Sequence, residues 1–145
     1  MKLETIQAEW ETDSVINQLQ LADESNKIPR LHSKYWKILI LERAKLKTLE
    51  AELKCLTNDK FCFFLNGHDE DTRARGWELP ARGKIVVKDE AKMLVDTDKE
   101  VVDLTLKVSI QREKCLFVED IIKNVHNRSF IIRNTIEFIK FQAGG

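Results

Sequence analysis

The last third of the chain, residues 97–141, carries the pattern that most constrains the fold. Apolar residues recur there at alternating steps of four and three, and only Gln111 and Ser129 interrupt the series. The members of this seam are Val101, Leu104, Val108, Cys115, Val118, Ile122, Val125, Ile132, Ile136 and Ile139. A heptad pattern sustained for more than five repeats is typical of a coiled coil rather than of an ordinary amphipathic helix.

A second apolar line runs beside the seam and consists of Phe117, Ile121, Ile131 and Phe138. Two adjacent stripes exceed the surface that one partner helix covers. They therefore predict packing on two sides, against the chain's other long helix and against a neighbouring subunit. Thr97, followed three residues later by Glu100, predicts a capping-box start. At 1.5 Å per residue the helix would be roughly 65 Å long, which favours oligomerisation.

We expect the subunit contacts to come from twelve apolar positions of these two stripes. They are Leu104, Val108, Phe117, Val118, Ile121, Ile122, Val125, Ile131, Ile132, Ile136, Phe138 and Ile139. The polar Gln111 and Ser129 would set the helix register or the number of subunits, at some cost in stability.

A second long helix is predicted at about residues 30–64. Its apolar positions step by threes, fours and sevens, with Glu42 and Lys60 at polar positions of the seam. These apolar positions are Tyr35, Leu39, Leu46, Leu49, Leu53, Leu56 and Phe63. Its other faces are basic, with Lys34, Lys37, Arg43, Lys45, Lys47 and Lys54. Such a helix is a natural bundle or coiled-coil partner for the C-terminal helix.

Shorter elements are predicted before and between the long helices. Residues 3–11 read as a short helix, and Asp13 is a plausible N-cap for a second one that carries Ile16 and Leu19. Residues 67–83 hold three of the five glycines, so we expect a mobile loop. A brief β-like run follows near 83–88, and then one or two helical turns to Asp96.

The predicted fold is therefore all-α, with two short N-terminal helices and two long helices in a coiled-coil or bundle arrangement that assembles as a ring. We expect residues 1–145 to form one protomer. Its segments would be an acidic arm (1–26), a basic helix (27–66), a loop region (67–96) and an oligomerisation helix (97–142).

Charge is balanced overall but unevenly distributed. Residues 1–26 carry one basic and six acidic side chains, net −5, whereas residues 27–60 carry nine basic and four acidic ones, net +5. The basic helix suggests an anionic partner, although a solvated helix face would give the same count. The three cysteines lack metal-ligand spacing and read as reduced thiols, and no apolar run approaches 18 residues. We expect a protein of the cell interior without a membrane segment.

The motifs of common enzymes are missing from the sequence. It has no HExxH motif, no P-loop, no GxGxxG and no GxSxG, and its three histidines are far apart. We therefore expect no catalysis, no cofactor and no metal site.

Nucleic-acid binding is the stronger functional hypothesis. Basic and aromatic residues interleave near the end of the basic helix and in the loop that follows it. The candidates are Lys54, Lys60, Phe61, Phe63, Phe64, Arg73, Arg75, Arg82, Lys84 and Lys88, with Trp77 among them. Cations neutralise phosphates, and aromatic faces stack on unpaired bases. The alternative is that the aromatics close the end of a bundle while the cations are merely solvated.

The sequence resembles the UvsY recombination mediator family of T-even-type phages, almost from end to end. The resemblance is carried by the segments 26–35, 60–67, 96–100 and 120–144, which begin Asn26-Lys27-Ile28-Pro29, Lys60-Phe61-Cys62-Phe63, Asp96-Thr97-Asp98 and Asp120-Ile121-Ile122. The DNA-binding motif of the family pairs two basic residues with Tyr-Tyr. Here the first basic position is Asn58, the second is kept as Lys60, and Phe63-Phe64 replaces the tyrosines, which keeps stacking surface without hydroxyl groups.

The resemblance implies a non-enzymatic mediator in the cytoplasm of the infected host cell. Such a protein binds single-stranded DNA and promotes loading of a RecA-like recombinase onto strand coated by the phage single-stranded-DNA-binding protein, in recombination, repair and replication. It implies a homo-oligomeric ring of seven subunits, with six as the alternative. The competing hypothesis is a coiled-coil scaffold without nucleic-acid binding, which explains the heptads but not the basic and aromatic segment around Lys60.

Overall fold

The computed structural model describes residues 1–80, 83 and 87–144, and every regular element in these ranges is a helix. The helices are α1 (Leu3–Asp13), α2 (Leu21–Asn26), α3 (Ile28–Asn66), α4 (Glu70–Ala74), α5 (Lys88–Thr97) and α6 (Lys99–Gln142). The all-α prediction is confirmed, with the two long helices close to their predicted bounds. The chain divides into two compact units, Met1–Ala44 with Gln111–Gly145 and Lys45–Ile110.

The first unit packs α1 and the start of α3 against the C-terminal part of α6. Ile6 of α1 and Tyr35 of α3 are fully buried, and the ring of Trp10 meets Tyr35 edge-on at 5.5 Å. Five of the heptad positions of α6 face this core as predicted, whereas Ile136 and Ile139 are exposed. Those that are buried in this unit are Cys115, Val118, Ile122, Val125 and Ile132.

One polar interruption of the seam, Gln111, is buried opposite Glu42 of α3. The Gln111 amide nitrogen donates to both the backbone carbonyl and the carboxylate of Glu42, each at 2.8 Å. Lys114 adds an ion pair to the same carboxylate at 3.3 Å. Because an unpaired buried carboxylate is costly, these contacts join α3 and α6 in one register.

The other polar interruption does not face the core. Ser129 is exposed, and its neighbour Arg128 is 3% exposed in its place. The Arg128 guanidinium donates to the carbonyls of Asp13, Ser14 and Val15. A buried arginine at this point therefore attaches the segment after α1 to α6.

Asp13 is not the N-cap of a helix, so that prediction was wrong. It ends α1, residues 14–20 are not helical, and α2 begins only at Leu21. The Asp13 carboxylate instead accepts hydrogen bonds from Lys34 at 2.6 Å and Tyr35 at 2.8 Å. Tertiary partners on α3 thus override the local capping preference of the residue.

The second unit surrounds a small core between the end of α3, α4, α5 and the start of α6. The buried members of this core are Phe63, Phe64, Trp77, Ala91, Val95 and Val101. Ala91 and Val95, one turn apart, form the buried side of α5. The turns predicted after residue 88 are therefore present, as a helix of 10 residues.

Two local predictions in the second unit were also wrong. Thr97 does not cap α6, because it is the last residue of α5 and its hydroxyl donates to the carbonyl of Met93 at 3.0 Å. Asp98 takes the capping role, and its carboxylate accepts the Val101 N–H at 3.2 Å. The segment predicted as a loop contains α4, which begins with a capping box between Asp69 and Thr72.

The β-like run predicted near 83–88 falls largely outside the described residues, which omit Lys84, Ile85 and Val86. Lys88 at its end already belongs to α5.

Candidate nucleic-acid interface

Two of the predicted DNA-binding cations lie over a single indole ring in the second unit. The ammonium nitrogen of Lys60 is 4.1 Å from the centroid of the Trp77 ring, and the guanidinium carbon of Arg75 is 4.8 Å from it. Lys60 projects from α3, whereas Arg75 and Trp77 follow α4. The turn after α4 thus brings Arg75 and Trp77 to Lys60, which precedes them by 15 and 17 residues.

Lys60 is 5% exposed and is paired with two carboxylates. Its ammonium lies 3.1 Å from Asp98 and 3.6 Å from Glu100, at the junction of α5 and α6. Burial of a lysine requires such partners, because an isolated charge loses its hydration without compensation. Lys60 occupies one of the two polar positions in the predicted seam of α3, and in the structure these carboxylates are its partners.

Arg75 is also paired, but closer to solvent. Its guanidinium lies 3.1 Å from the carboxylate of Asp71, one helical turn earlier, and 3.2 Å from that of Asp59 on α3. The Arg75 side chain is 40% exposed, so these pairs are screened by water and contribute little to stability. None of these four carboxylate partners is predicted from the sequence, although the spacing of Asp71 and Arg75 is that of an i,i+4 pair.

The aromatic candidates are largely inside the core. Phe63 and Phe64 are 2% and 6% exposed, and the Phe63 ring lies 5.4 Å from Phe64 and 5.5 Å from Trp77. Phe61 is half-buried and packs against the same cluster. This packing agrees with the alternative stated for the aromatics, in which they close one end of the bundle. Contact between these rings and DNA stays a prediction.

Of the five remaining cationic candidates, three belong to the described residues and two do not. Lys54 on α3, Arg73 in the last turn of α4 and Lys88 at the start of α5 are exposed. Arg82 and Lys84 lie outside the described residues. The second unit therefore presents exposed cations in addition to the paired Lys60 and Arg75.

A pocket beside Trp77 is lined by Asp59, Asp69 and Asp71 together with Cys62 and Asn66. The backbone N–H of Thr72 donates to Asp69 and holds the pKa of that carboxyl below its ordinary value. Within the described ranges no group of three or more histidine, cysteine or acidic side chains is arranged to hold a metal ion. Nor does any helix described there have the length and apolarity to cross a membrane.

The twelve predicted oligomerisation residues differ in how far the chain itself buries them. Most of the twelve are used within the chain, and four are exposed near the C-terminal end of α6. Buried are Val108, Val118, Ile121, Ile122, Val125 and Ile132; half-buried are Leu104 and Phe117; exposed are Ile131, Ile136, Phe138 and Ile139. Phe130 and Phe141 are exposed in the same stretch. The end of α6 thus carries apolar surface that the chain itself does not cover.

Comparison with known proteins identifies the family. A family model described as recombination, repair and ssDNA binding protein UvsY matches residues 9–145. No curated protein sequence matches.

Two crystal structures of the bacteriophage T4 recombination mediator protein UvsY, in lattice types IV and II, share the fold, each with a TM-score of 0.82. Their sequences are 20% and 21% identical to this one. The first superposition covers 97% of this chain and 99% of the T4 chain, and the second covers 99% and 98%. With a family match over all but its first eight residues, this chain belongs to the UvsY family.

Proposed function

We propose that this protein is a recombination mediator that binds single-stranded DNA and promotes loading of a RecA-like recombinase onto strand coated by the phage single-stranded-DNA-binding protein. The family description, which names recombination, repair and ssDNA binding, supports this proposal. So does the fold shared with a T4 protein described as a recombination mediator. The protein would act in recombination, repair and replication in the cytoplasm of the infected cell.

The observation that carries DNA binding is the arrangement of two cations on the Trp77 ring with further exposed cations in the same unit. Lys60 and Arg75 meet this ring at 4.1 and 4.8 Å, and Lys54, Arg73 and Lys88 are exposed. Phosphate neutralisation by lysine and arginine supplies affinity without reading sequence. A mediator that acts on any strand requires this kind of binding.

Assembly into an oligomer would raise the overall affinity for a DNA strand above that of one weak site. The exposed apolar end of α6, with Ile131, Ile136, Phe138 and Ile139, is the proposed contact between subunits. A closed ring of such subunits presents several copies of the DNA site to one strand, which raises avidity by roughly 10²–10⁴. Seven subunits, or six, remains the number implied by the resemblance.

The segments of the chain would then have different roles. The oligomerisation helix (97–142) would hold the ring, and the basic helix (27–66) with the loop region (67–96) would meet DNA. The acidic arm (1–26) would meet a basic surface on a protein partner through its exposed carboxylates Glu4, Glu11 and Asp23, because Asp13 and Glu24 are paired within the chain.

The test is salt-dependent binding of a labelled oligonucleotide, measured by fluorescence anisotropy. A Lys54→Ala, Arg73→Ala double variant should bind more weakly than wild type. Its slope of log K against log salt should be smaller by about 0.7 for each phosphate that is no longer neutralised. Lys37→Ala, at an exposed position of α3 in the first unit, removes one charge as the control and should change affinity and slope little. Absence of any binding by wild type at low ionic strength would refute the proposal.

Two observations favour the scaffold hypothesis. Phe63 and Phe64 are buried, and Lys60 is already paired, as in a purely structural cluster. A scaffold would assemble normally and leave the oligonucleotide signal unchanged for wild type and Lys60→Ala alike.

A further inference from the structure

Each of the two cations on Trp77 is held by carboxylates of the same chain. Asp98 and Glu100 reach Lys60, and Asp59 and Asp71 reach Arg75. In both cases carboxylate oxygens contact the cation, and the non-bridging oxygens of a DNA phosphate are charged acceptors of the same kind. All of these residues belong to the second unit.

We propose that Asp98 and Glu100 occupy the phosphate position at Lys60 in the free protein, so that a DNA strand binds there by exchanging phosphate for carboxylate. This inference rests on the proposed single-stranded-DNA binding and adds a built-in competitor to that site. The exchange at Arg75, with Asp59 and Asp71 as competitors, follows the same logic.

The exposure of the partners shows how a phosphate would reach Lys60. The Glu100 side chain is 55% exposed, yet its carboxylate lies 3.6 Å from the ammonium nitrogen. The Lys60 side chain is only 6% exposed, and of its two partners Glu100 is the one with an exposed side chain. A phosphate that displaces Glu100 would approach the ammonium from the side on which this exposed carboxylate lies.

The two carboxylates hold Lys60 to different degrees. Asp98 is 15% exposed, sits 3.1 Å from the ammonium, and also caps α6 through the Val101 N–H. It is fixed in place by this second role. Glu100 is longer, more exposed and farther away, so it is the partner that yields first.

Exchange has a measurable consequence for the salt dependence of binding. A lysine that leaves bulk solvent to meet a phosphate releases condensed counterions from the strand. A lysine that leaves a carboxylate frees that carboxylate to attract cations from solution, which offsets part of the release. Wild type should therefore show a shallower salt dependence than its number of cations suggests.

The experiment compares oligonucleotide affinity across a salt series for wild type and an Asp98→Asn, Glu100→Gln variant. The amides remove the competing charge, and asparagine at position 98 keeps a capping oxygen for α6. We expect affinity to rise about fivefold near physiological salt. The slope of log K against log salt should steepen by up to about 0.7, the value of one whole phosphate contact on a single strand.

Three controls make the result specific. An Asp96→Asn, Asp103→Asn variant removes two exposed carboxylates of the same unit and should change affinity less, with no change in slope. In a Lys60→Ala background the amide substitutions at Asp98 and Glu100 should give no gain. Glu100→Gln alone, at a position that is 55% exposed, should give part of the effect if the double variant is unstable.

The outcomes separate the two proposals. If wild type binds the oligonucleotide and the amide variants match the Asp96, Asp103 control in affinity and slope, the exchange is wrong while DNA binding stands. If neither wild type nor any variant binds at low salt, the proposed function itself fails.

Discussion

At the scale of single residues, Arg128 and Glu24 form the most deeply buried ion pair described. Their side chains are 4% and 3% exposed, and the guanidinium lies 2.7 Å from the carboxylate. Arg128 also holds three backbone carbonyls at the end of α1, while its Nε atom has no hydrogen-bond partner. One side chain thus joins α6, α2 and the non-helical segment 14–20.

The pair predicts an acid-dependent loss of stability. The hydrogen bond from Lys27, and then that from Arg128, hold the pKa of Glu24 below its ordinary value of 4.5 against the opposing effect of burial. A depressed folded-state pKa means that the stabilisation is complete above pH 4.5 and is lost as the pH falls through the folded-state value.

Glu24→Gln should therefore lower the free energy of unfolding by roughly 3 kcal/mol at pH 7, since it breaks a buried pair. The gap to wild type should narrow as the pH falls below 4.5. Denaturant melts at several pH values and one protein concentration measure this gap. Asp23→Asn, at the exposed neighbouring position, is the control and should show little gap at pH 7. A gap for Glu24→Gln that stays constant with pH would contradict the assignment.

At the scale of elements, the pairing of α3 with α6 depends on a polar contact inside an apolar seam. Gln111 and Ser129 interrupt the same heptad pattern, yet only Gln111 faces the core. In the sequence, both positions are polar residues at apolar heptad positions, so the pattern predicts the same location for both. The difference arises because α3 supplies Glu42 opposite Gln111, whereas Arg128 displaces Ser129 from the buried side of α6.

The two interruptions form a matched pair for mutation. Gln111→Leu removes two hydrogen bonds to Glu42 and should lower the free energy of unfolding by about 1–3 kcal/mol. Ser129→Ala, at the exposed interruption, should stay within about 0.5 kcal/mol of wild type. Urea melts of the two variants at equal protein concentration give both values. Equal losses of stability at both positions would show that the seam does not distinguish them.

At the scale of the whole molecule, the apolar surface of α6 is buried over its central turns and exposed near its C-terminal end. Its central heptads are buried within the chain, whereas its C-terminal turns expose Ile131, Ile136, Phe138 and Ile139. An exposed apolar patch of this kind is typical of a contact between subunits. We therefore expect assembly and folding to respond to different positions of one helix.

An aspartate at each kind of position tests this division. Ile131→Asp with Phe138→Asp should dissociate the assembly but keep helical content, because both side chains are exposed in the protomer. Ile122→Asp should instead reduce folding itself, since this residue is 7% exposed and the charge would be buried. Native mass spectrometry reads the subunit number and circular dichroism reads the fold. An Ile131, Phe138 variant that keeps the wild-type subunit number would exclude this face as the interface.

The amino-acid sequence alone determined the helical class, both long helices and most of the buried positions on them. Helical periodicity is a local property, and residues such as Val118, Ile122 and Val125 repeat it without ambiguity. The charge pattern also selected Lys60 and Arg75, and the resemblance identified the family. Caps were less predictable. Asp13 and Thr97 both have side chains that can cap a helix. Asp13 instead binds Lys34, which is distant in sequence. At the start of α6 the cap is Asp98, the residue after Thr97.

Only the tertiary structure decided what the candidate site contains. Lys60, Arg75 and Trp77 converge because α4 turns the chain back over the end of α3, and Asp98 and Glu100 arrive from the start of α6. These carboxylates lie 38 and 40 residues beyond Lys60 in sequence, so no spacing rule connects them to it. Periodicity reports which face of a helix is apolar, whereas the partner of a buried charge is selected by packing between elements.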